Sequence, residues 1–144
     1  MKLRVMLVDD HELFREAMCM FLELQDDIEG TLEVANAESI LDWYHEDRID
    51  VVCMDVGMQG MDGAELTRKL LAFAPEARVV GLSGHADMKS VARMVDAGAL
   101  GYVIKGSASE ELLNAIRAAS QNQPYFDAAL GVHSLENLKG YLHL

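Results

Sequence analysis

Residues 3–11 read Leu3-Arg4-Val5-Met6-Leu7-Val8-Asp9-Asp10-His11. The apolar run at 5–8 is too continuous for a strand with one wet face, and it stops abruptly at two carboxylates. Runs of this length suit the interior of a parallel sheet covered on both faces. The same signature returns in Val51-Val52-Cys53-Met54-Asp55 and in Val79-Val80-Gly81-Leu82-Ser83. Strands are therefore predicted at 4–8, 31–34, 51–54, 79–82 and 101–104.

Helical periods separate these runs. Leu13, Ala17, Met20, Phe21 and Leu24 follow the i, i+4, i+7, i+8, i+11 stripe, and Leu66, Leu70 and Phe73 form another, ended by Pro75. Met88, Val91, Ala92 and Val95 form a third, with Asp87 placed to cap it. Ser107 and Glu110 have the spacing of a capping box for a last helix through Leu112, Ile116 and Ala119, stopped by Pro124. A short helix is expected around 40–44, with Trp43 as a packing residue. Five β-α units imply an α/β fold, a doubly wound five-stranded parallel sheet with helices on both faces. The domain is expected to span 1–124. Residues 125–144 read as a C-terminal tail, or the start of a linker to an output domain, with a helical turn around 135–142.

The 144 residues suit one domain, and 51 % hydrophobic content with 2 Pro excludes disorder and low-complexity classes. Net charge is −12, nearly all of the excess lying in the first 50 residues. A surface this acidic repels phosphates and anionic lipids, so direct nucleic acid binding and membrane association by this chain are not expected. No apolar run approaches the ~18 residues of a membrane span. Cys19 and Cys53 have no Cys-x-x-Cys context and read as reduced buried thiols in a cytoplasmic protein.

In open α/β sheets the chemistry gathers at the carboxyl ends of the strands. Those positions hold Asp9 and Asp10 after the first strand, Asp55 after the third, Ser83 after the fourth and Lys105 after the fifth. Singly, each is as well explained as a cap, a turn former or a solvated charge. Together they need a common cause, because carboxylates ~4 Å apart repel by about 4 kcal/mol per pair at an effective dielectric near 20. A hard divalent cation relieves that repulsion, and Mg²⁺ takes one or two carboxylates plus phosphate oxygens and waters. Asp, Mg²⁺ and Lys in one place point to phosphoryl chemistry, with a carboxylate attacking phosphorus.

Five segments in order carry a specific resemblance. They are 5–11, 52–55, Met61-Asp62-Gly63, 81–84 and Gly101-Tyr102-Val103-Ile104-Lys105. Over about residues 3–124 the chain resembles a response-regulator receiver domain of two-component signalling, closest to the NarL/FixJ-type branch because Gly106-Ser107, and not proline, follows Lys105. The resemblance implies a flavodoxin-like strand order of 2-1-3-4-5. It implies Asp55 as phosphoacceptor for a sensor histidine kinase or phosphotransfer protein. It implies Asp9, Asp10, Asp55 and the main-chain carbonyl of Gly57 as Mg²⁺ ligands, Lys105 as the phosphoryl counter-ion, and Ser83 with Tyr102 as the switch pair. The helix at 87–97, the strand at 101–104 and the helix at 108–121 would form the output face, a possible homodimer surface. The chain would be part of a transcriptional response regulator, or alternatively a stand-alone receiver acting through protein contacts.

The sequence also departs from the family pattern. Gln59 replaces the usual proline in the loop after Asp55, and Gly57 places no side chain beside the phosphoryl site. That same glycine disfavours a Mg²⁺-dependent phosphohydrolase, which would need a second acid/base carboxylate there, so the chain is not expected to be an enzyme. The spacing of Gly57, Gly60 and Gly63 matches no nucleotide-binding loop. Met58 and Met61 sit where they could cover the site, whereas Met6, Met20, Met54 and Met94 fall in core periods. His11 and His85 lie near the expected pocket, where either could modulate it, though a solvated helix-start histidine is the commoner outcome.

Overall fold

The computed structural model describes residues 2–36, 39–46, 48–58, 62–84 and 87–130. Strands β1 (Leu3–Val8), β2 (Ile28–Val34), β3 (Val51–Asp55), β4 (Val79–Ser83), β5 (Gly101–Ile104) and β6 (Tyr125–Phe126) form one sheet in the order β2-β1-β3-β4-β5-β6. All pairings are parallel. The helices are α1 (Glu12–Glu23), α2 (Ile40–Glu46), α3 (Gly63–Phe73), α4 (Met88–Asp96) and α5 (Ser109–Ser120).

The unbroken apolar runs are explained by two cores, one on each face of the sheet. Met6, Val8, Val52, Met54 and Val79 point into a cluster shared with Ile40, Leu66, Leu70, Val91 and Met94 of α2, α3 and α4. The alternate residues Val5, Leu7, Val51, Cys53 and Val80 point the other way, against Cys19, Leu22, Leu112 and Ile116 of α1 and α5. Period-two alternation survives in the strands but is invisible as polarity, because each face has its own apolar cover.

The sheet has one strand more than the five expected, and the packed chain runs past position 124. Tyr125 and Phe126 pair with Gly101 and Tyr102, so β5 is not an edge. Asp127, only 2 % exposed, locks this segment down. Its Oδ2 accepts from Ile104 N–H at 3.0 Å, its Oδ1 accepts from Ala129 N–H at 3.0 Å, and its own N–H donates to Tyr102 O at 3.0 Å. The helical turn expected around 135–142 lies outside the described residues.

Two local readings are corrected. The capping box does not form: Ser107 N–H closes a turn onto Ile104 O, the N-cap of α5 is Ala108, and no side chain caps the helix. The turn after β5 consumes Ser107 before the helix can begin. In α1 the expected stripe is largely on the wet side, with Leu13 84 %, Met20 71 % and Leu24 81 % exposed. The buried residues are instead Cys19 and Leu22, with Phe14, Met18 and Phe21 packed partly beside them. This helix is apolar nearly all round, so periodicity admits two stripes, and the sheet selects one. Asp87 caps α4 as expected, its side chain accepting from Lys89 N–H. Trp43, expected to pack, is 42 % exposed. The Lys105–Gly106 peptide is not cis.

The corrected α1 register has a measurable consequence. Leu22→Ala should lower unfolding free energy by about 2–5 kcal/mol, whereas Leu13→Ala should stay within about 0.5 kcal/mol. Urea melts of the two variants separate the stripes.

Candidate functional site: an acidic nest closed by one ammonium

Strand register alone brings the chemistry together. Val8 lies opposite Met54, so Asp9 and Asp55 leave the sheet side by side. Asp55 pairs with Leu82, and Ser83 pairs with Ile104, which sets Ser83 and Lys105 next in the row. A cavity of about 550 Å³ opens over these ends, lined by His11, Phe14, Asp55, Gly57, Ser83 and Lys105.

Asp9 is fully buried and Asp55 is 2 % exposed. Lys105 Nζ stands 2.7 Å from Asp9 Oδ2 and 3.1 Å from Asp55 Oδ2, and it lies over the Phe14 ring at 5.1 Å from the centroid. Lys105 Nζ donates to Asp55 Oδ2 and ion-pairs with Asp9 Oδ2, while Asp9 Oδ1 accepts from His11 N–H at 2.8 Å. The other oxygen of Asp55 accepts from Gly57 N–H at 2.9 Å. Burial pushes the Asp55 carboxyl above the usual carboxylate range, with the Asp9 charge adding to the rise. The Gly57 amide and the Lys105 ammonium pull against it. Arg15 braces the start of the nest by donating to Asp9 O at 2.6 Å and to Glu33 Oε1 at 3.0 Å.

Asp9, Asp10 and Asp55 thus meet as expected. So does His11, which the sequence puts near the expected pocket. Donor atoms from these four residues all lie within 4.8 Å of one another. The Lys105 ammonium, seated among three of them, marks where a cation rests, and oxygen donors in this number suit a divalent ion. Gly57 lines the cavity, and its N–H is engaged with Asp55. Met58 is not a lid: it is 6 % exposed and belongs to the core. Met61 and His85 lie outside the described residues.

Ser83 is 6 % exposed at the cavity wall, and Tyr102 behind it is fully buried. Burial raises the Tyr102 phenol, with Ser83 close enough to oppose the rise, yet the phenol oxygen lacks a well-formed hydrogen bond. Tyr102 fits inside because residue 81 is glycine: a Cβ there would meet Tyr102 Cδ2 at 2.9 Å. Asp62 Oδ1 accepts from Ala64 N–H and caps α3, and its Oδ2 pairs with Arg93 of α4. Gly63 lets α3 approach β3, since a Cβ there would lie 2.6 Å from Val56 Cα and 2.8 Å from Asp55 O.

Buried carboxylates, an ammonium and a hydroxyl gather at the strand ends of a parallel sheet ordered β2-β1-β3-β4-β5-β6, the arrangement of a receiver-type signalling domain. The chain belongs to the response regulator receiver domain family, which matches residues 5–117. Its relatives are LuxR/NarL-type response regulators. It is 35 % identical over 137 residues to the transcriptional regulatory protein LiaR of Bacillus subtilis, covering 95 % of this chain and 65 % of that protein. It is 37 % identical over 126 residues to the response regulator UvrY of Escherichia coli, covering 85 % and 56 %. The chain thus spans less than two thirds of these relatives. Among solved structures, a LuxR-family two-component response regulator from Aurantimonas superposes with a TM-score of 0.87 at 28 % identity, covering 97 % of this chain and 99 % of that one.

Two measurements follow from this geometry. A carboxyl raised by folding contributes stability below the ordinary carboxylate range near 4, and that contribution is lost as pH rises through its folded value. Asp55→Asn should therefore melt higher than the parent at pH 7 in chelator, with the gain shrinking below about pH 4. Gly63→Ala should cost about 1–3 kcal/mol by overpacking against β3 backbone, read from the same melts.

Proposed function

We propose that Asp55 accepts a phosphoryl group from a phosphohistidine on a sensor histidine kinase or phosphotransfer protein. The observation that carries this reading is a nearly buried carboxylate at an open cavity, hydrogen-bonded to Gly57 N–H and to Lys105 Nζ. An Asp55 oxygen attacks phosphorus as the phosphorus–nitrogen bond of the donor breaks. The electron pair leaves with the donor imidazole, which takes up a proton, and an aspartyl phosphate remains. Lys105 neutralises a phosphoryl oxygen, and the Ser83 hydroxyl donates to another. Asp9, Asp10 and Asp55, with the main-chain carbonyl of Gly57, would hold Mg²⁺. Bound there, Mg²⁺ would offset the repulsion between the carboxylate and the incoming phosphoryl oxygens.

The switch then runs through Ser83 and Tyr102. A phosphoryl group adds about two negative charges at pH 7 and three acceptor oxygens. Drawing Ser83 toward them alters a polar neighbour of the buried Tyr102 hydroxyl. The face that responds comprises α4, β5 and α5, and β6 adds Tyr125 and Phe126 to its outer edge. That face is the proposed surface for homodimer formation or for other protein contacts. Likeness to a protein named as a transcriptional regulator supports a role in controlling transcription, in the cytoplasm where such regulators meet DNA. No helix among the described residues is long and apolar enough to cross a membrane.

The test is incubation with a small-molecule phosphodonor and Mg²⁺, followed by intact mass measurement. The parent chain should gain one phosphoryl group, Asp55→Asn should gain none, and chelator should abolish the gain. Equal labelling of Asp55→Asn would overturn the assignment. Steady release of inorganic phosphate from metabolite phosphate esters would favour a hydrolase instead.

A further inference from the structure

Asp127 is a buried carboxylate that the phosphoryl chemistry proposed above does not use. It is 2 % exposed and lies beyond residue 117, where the match to the receiver family ends. A carboxylate taken out of water must be well bonded to be tolerated. Its two oxygens take N–H groups from different elements: Oδ2 from Ile104 at the end of β5, and Oδ1 from Ala129 in the turn after β6, each at 3.0 Å. Its own N–H donates to Tyr102 O at 3.0 Å. The bond to Ala129, two residues on, is one that any turn-forming aspartate makes. The bond to Ile104 spans 23 residues and has no such local cause.

Its place in the sheet supplies the cause. β5 is four residues long and leads straight into Lys105. On its inner side Ser83 pairs with Ile104, and Lys105 N–H donates to Ser83 O at 2.8 Å. On its outer side the pairing with β6 stops at Tyr102. The Asp127 carboxylate continues it by one bond, at the residue before Lys105. The backbone entering Lys105 is thus gripped from both sides. A firm strand end matters here, because the ammonium must meet Asp9 Oδ2 at 2.7 Å, Asp55 Oδ2 at 3.1 Å and the Phe14 ring at 5.1 Å together.

We propose that Asp127 is a positioning residue for Lys105: by holding Ile104 N–H it fixes the strand end from which the ammonium reaches the phosphoryl group. The inference rests on the role of Lys105 proposed above and adds to it a residue remote from the nest. Without the carboxylate, Ile104 N–H loses its partner, β5 frays at its last residue, and the ammonium leaves its seat over Phe14. Stabilising charge that develops during phosphoryl transfer depends on a counter-ion already in place. The loss therefore falls on the rate at saturating phosphodonor and not on the binding of the donor.

The experiment takes two readouts on the full chain. The first needs no phosphodonor: in nuclear magnetic resonance spectra the methylene protons beside Lys105 Nζ should be shielded by the Phe14 ring, and Asp127→Ala should remove most of that shielding. The second is the rate at which Asp55 is labelled as a small-molecule phosphodonor is raised to saturation with Mg²⁺ present. Asp127→Ala should lower the saturating rate about tenfold and leave the half-saturating donor concentration within about twofold. Tyr125→Phe removes the bond from Tyr125 to Glu111 and leaves the Asp127 contacts, so it should keep the shielding and label within about twofold of the parent. If Asp127→Ala does not fold, Asp127→Asn, with one acceptor oxygen in place of two, is read in the same way. Unchanged shielding or an unchanged saturating rate in the Asp127 variant overturns the inference, and so does Tyr125→Phe slowed as much as Asp127→Ala. A parent chain that takes no phosphoryl group, while its Lys105 shielding still responds to Asp127→Ala, overturns the proposed function and leaves the positioning role standing.

Discussion

Lys105 sets one ammonium against two carboxylates that the strand register forces together. Asp9 and Asp55 leave adjacent parallel strands at the same level, so backbone pairing, and not side-chain attraction, sets their separation. At such separations like charges cost several kcal/mol even with substantial screening. The ammonium at 2.7 Å and 3.1 Å offsets part of that cost, while burial, with the Asp9 charge adding to it, keeps the Asp55 carboxyl raised. A site held in this condition has a standing affinity for additional positive charge. It is also sensitive to any group that adds negative charge, which is the property a phosphorylation switch needs.

The surrounding structure keeps that tension local. Arg15 ties the turn after β1 to β2, while Asp62 caps α3 and holds Arg93 of α4. The start of α3 is thereby joined to α4. Gly81 and Tyr102 form the second connection, a bulky buried ring whose polar end lies near Ser83. Both routes run from the nest toward α4 and β5. The remainder of the sheet, with its two apolar clusters, is built to stay still.

The segment from Tyr125 to Leu130 changes the outline of the proposed output face. Tyr125 bonds to Glu111 of α5, and buried Asp127 takes two backbone N–H groups, so β6 is fastened to β5 and α5 at several points. The outer edge of β5 is covered by the chain's own backbone. Covering an edge also removes unpaired donors and acceptors that could template association with another sheet.

Continuous apolar runs ending in Asp9, Asp55, Ser83 and Lys105 determined by themselves that the sheet is parallel, doubly covered and chemically active at one end. Those signals are legible because they depend on local composition: burial on both faces leaves no polar position inside a strand, and the chemistry sits at the first residue outside. The wet and dry sides of α1 were not legible, since Leu13, Met20 and Leu24 are as apolar as Phe14, Cys19 and Leu22. Nor was β6, whose two residues pair through backbone alone, or Asp127, which reads as a surface acid until its two N–H donors are known. The contacts of His11 Nδ1 with Asp9 and Lys105 were equally hidden. Only the tertiary structure decided these, because each depends on which partner lies across a gap of many residues, and a sequence period records the side of an element but not what is placed against it.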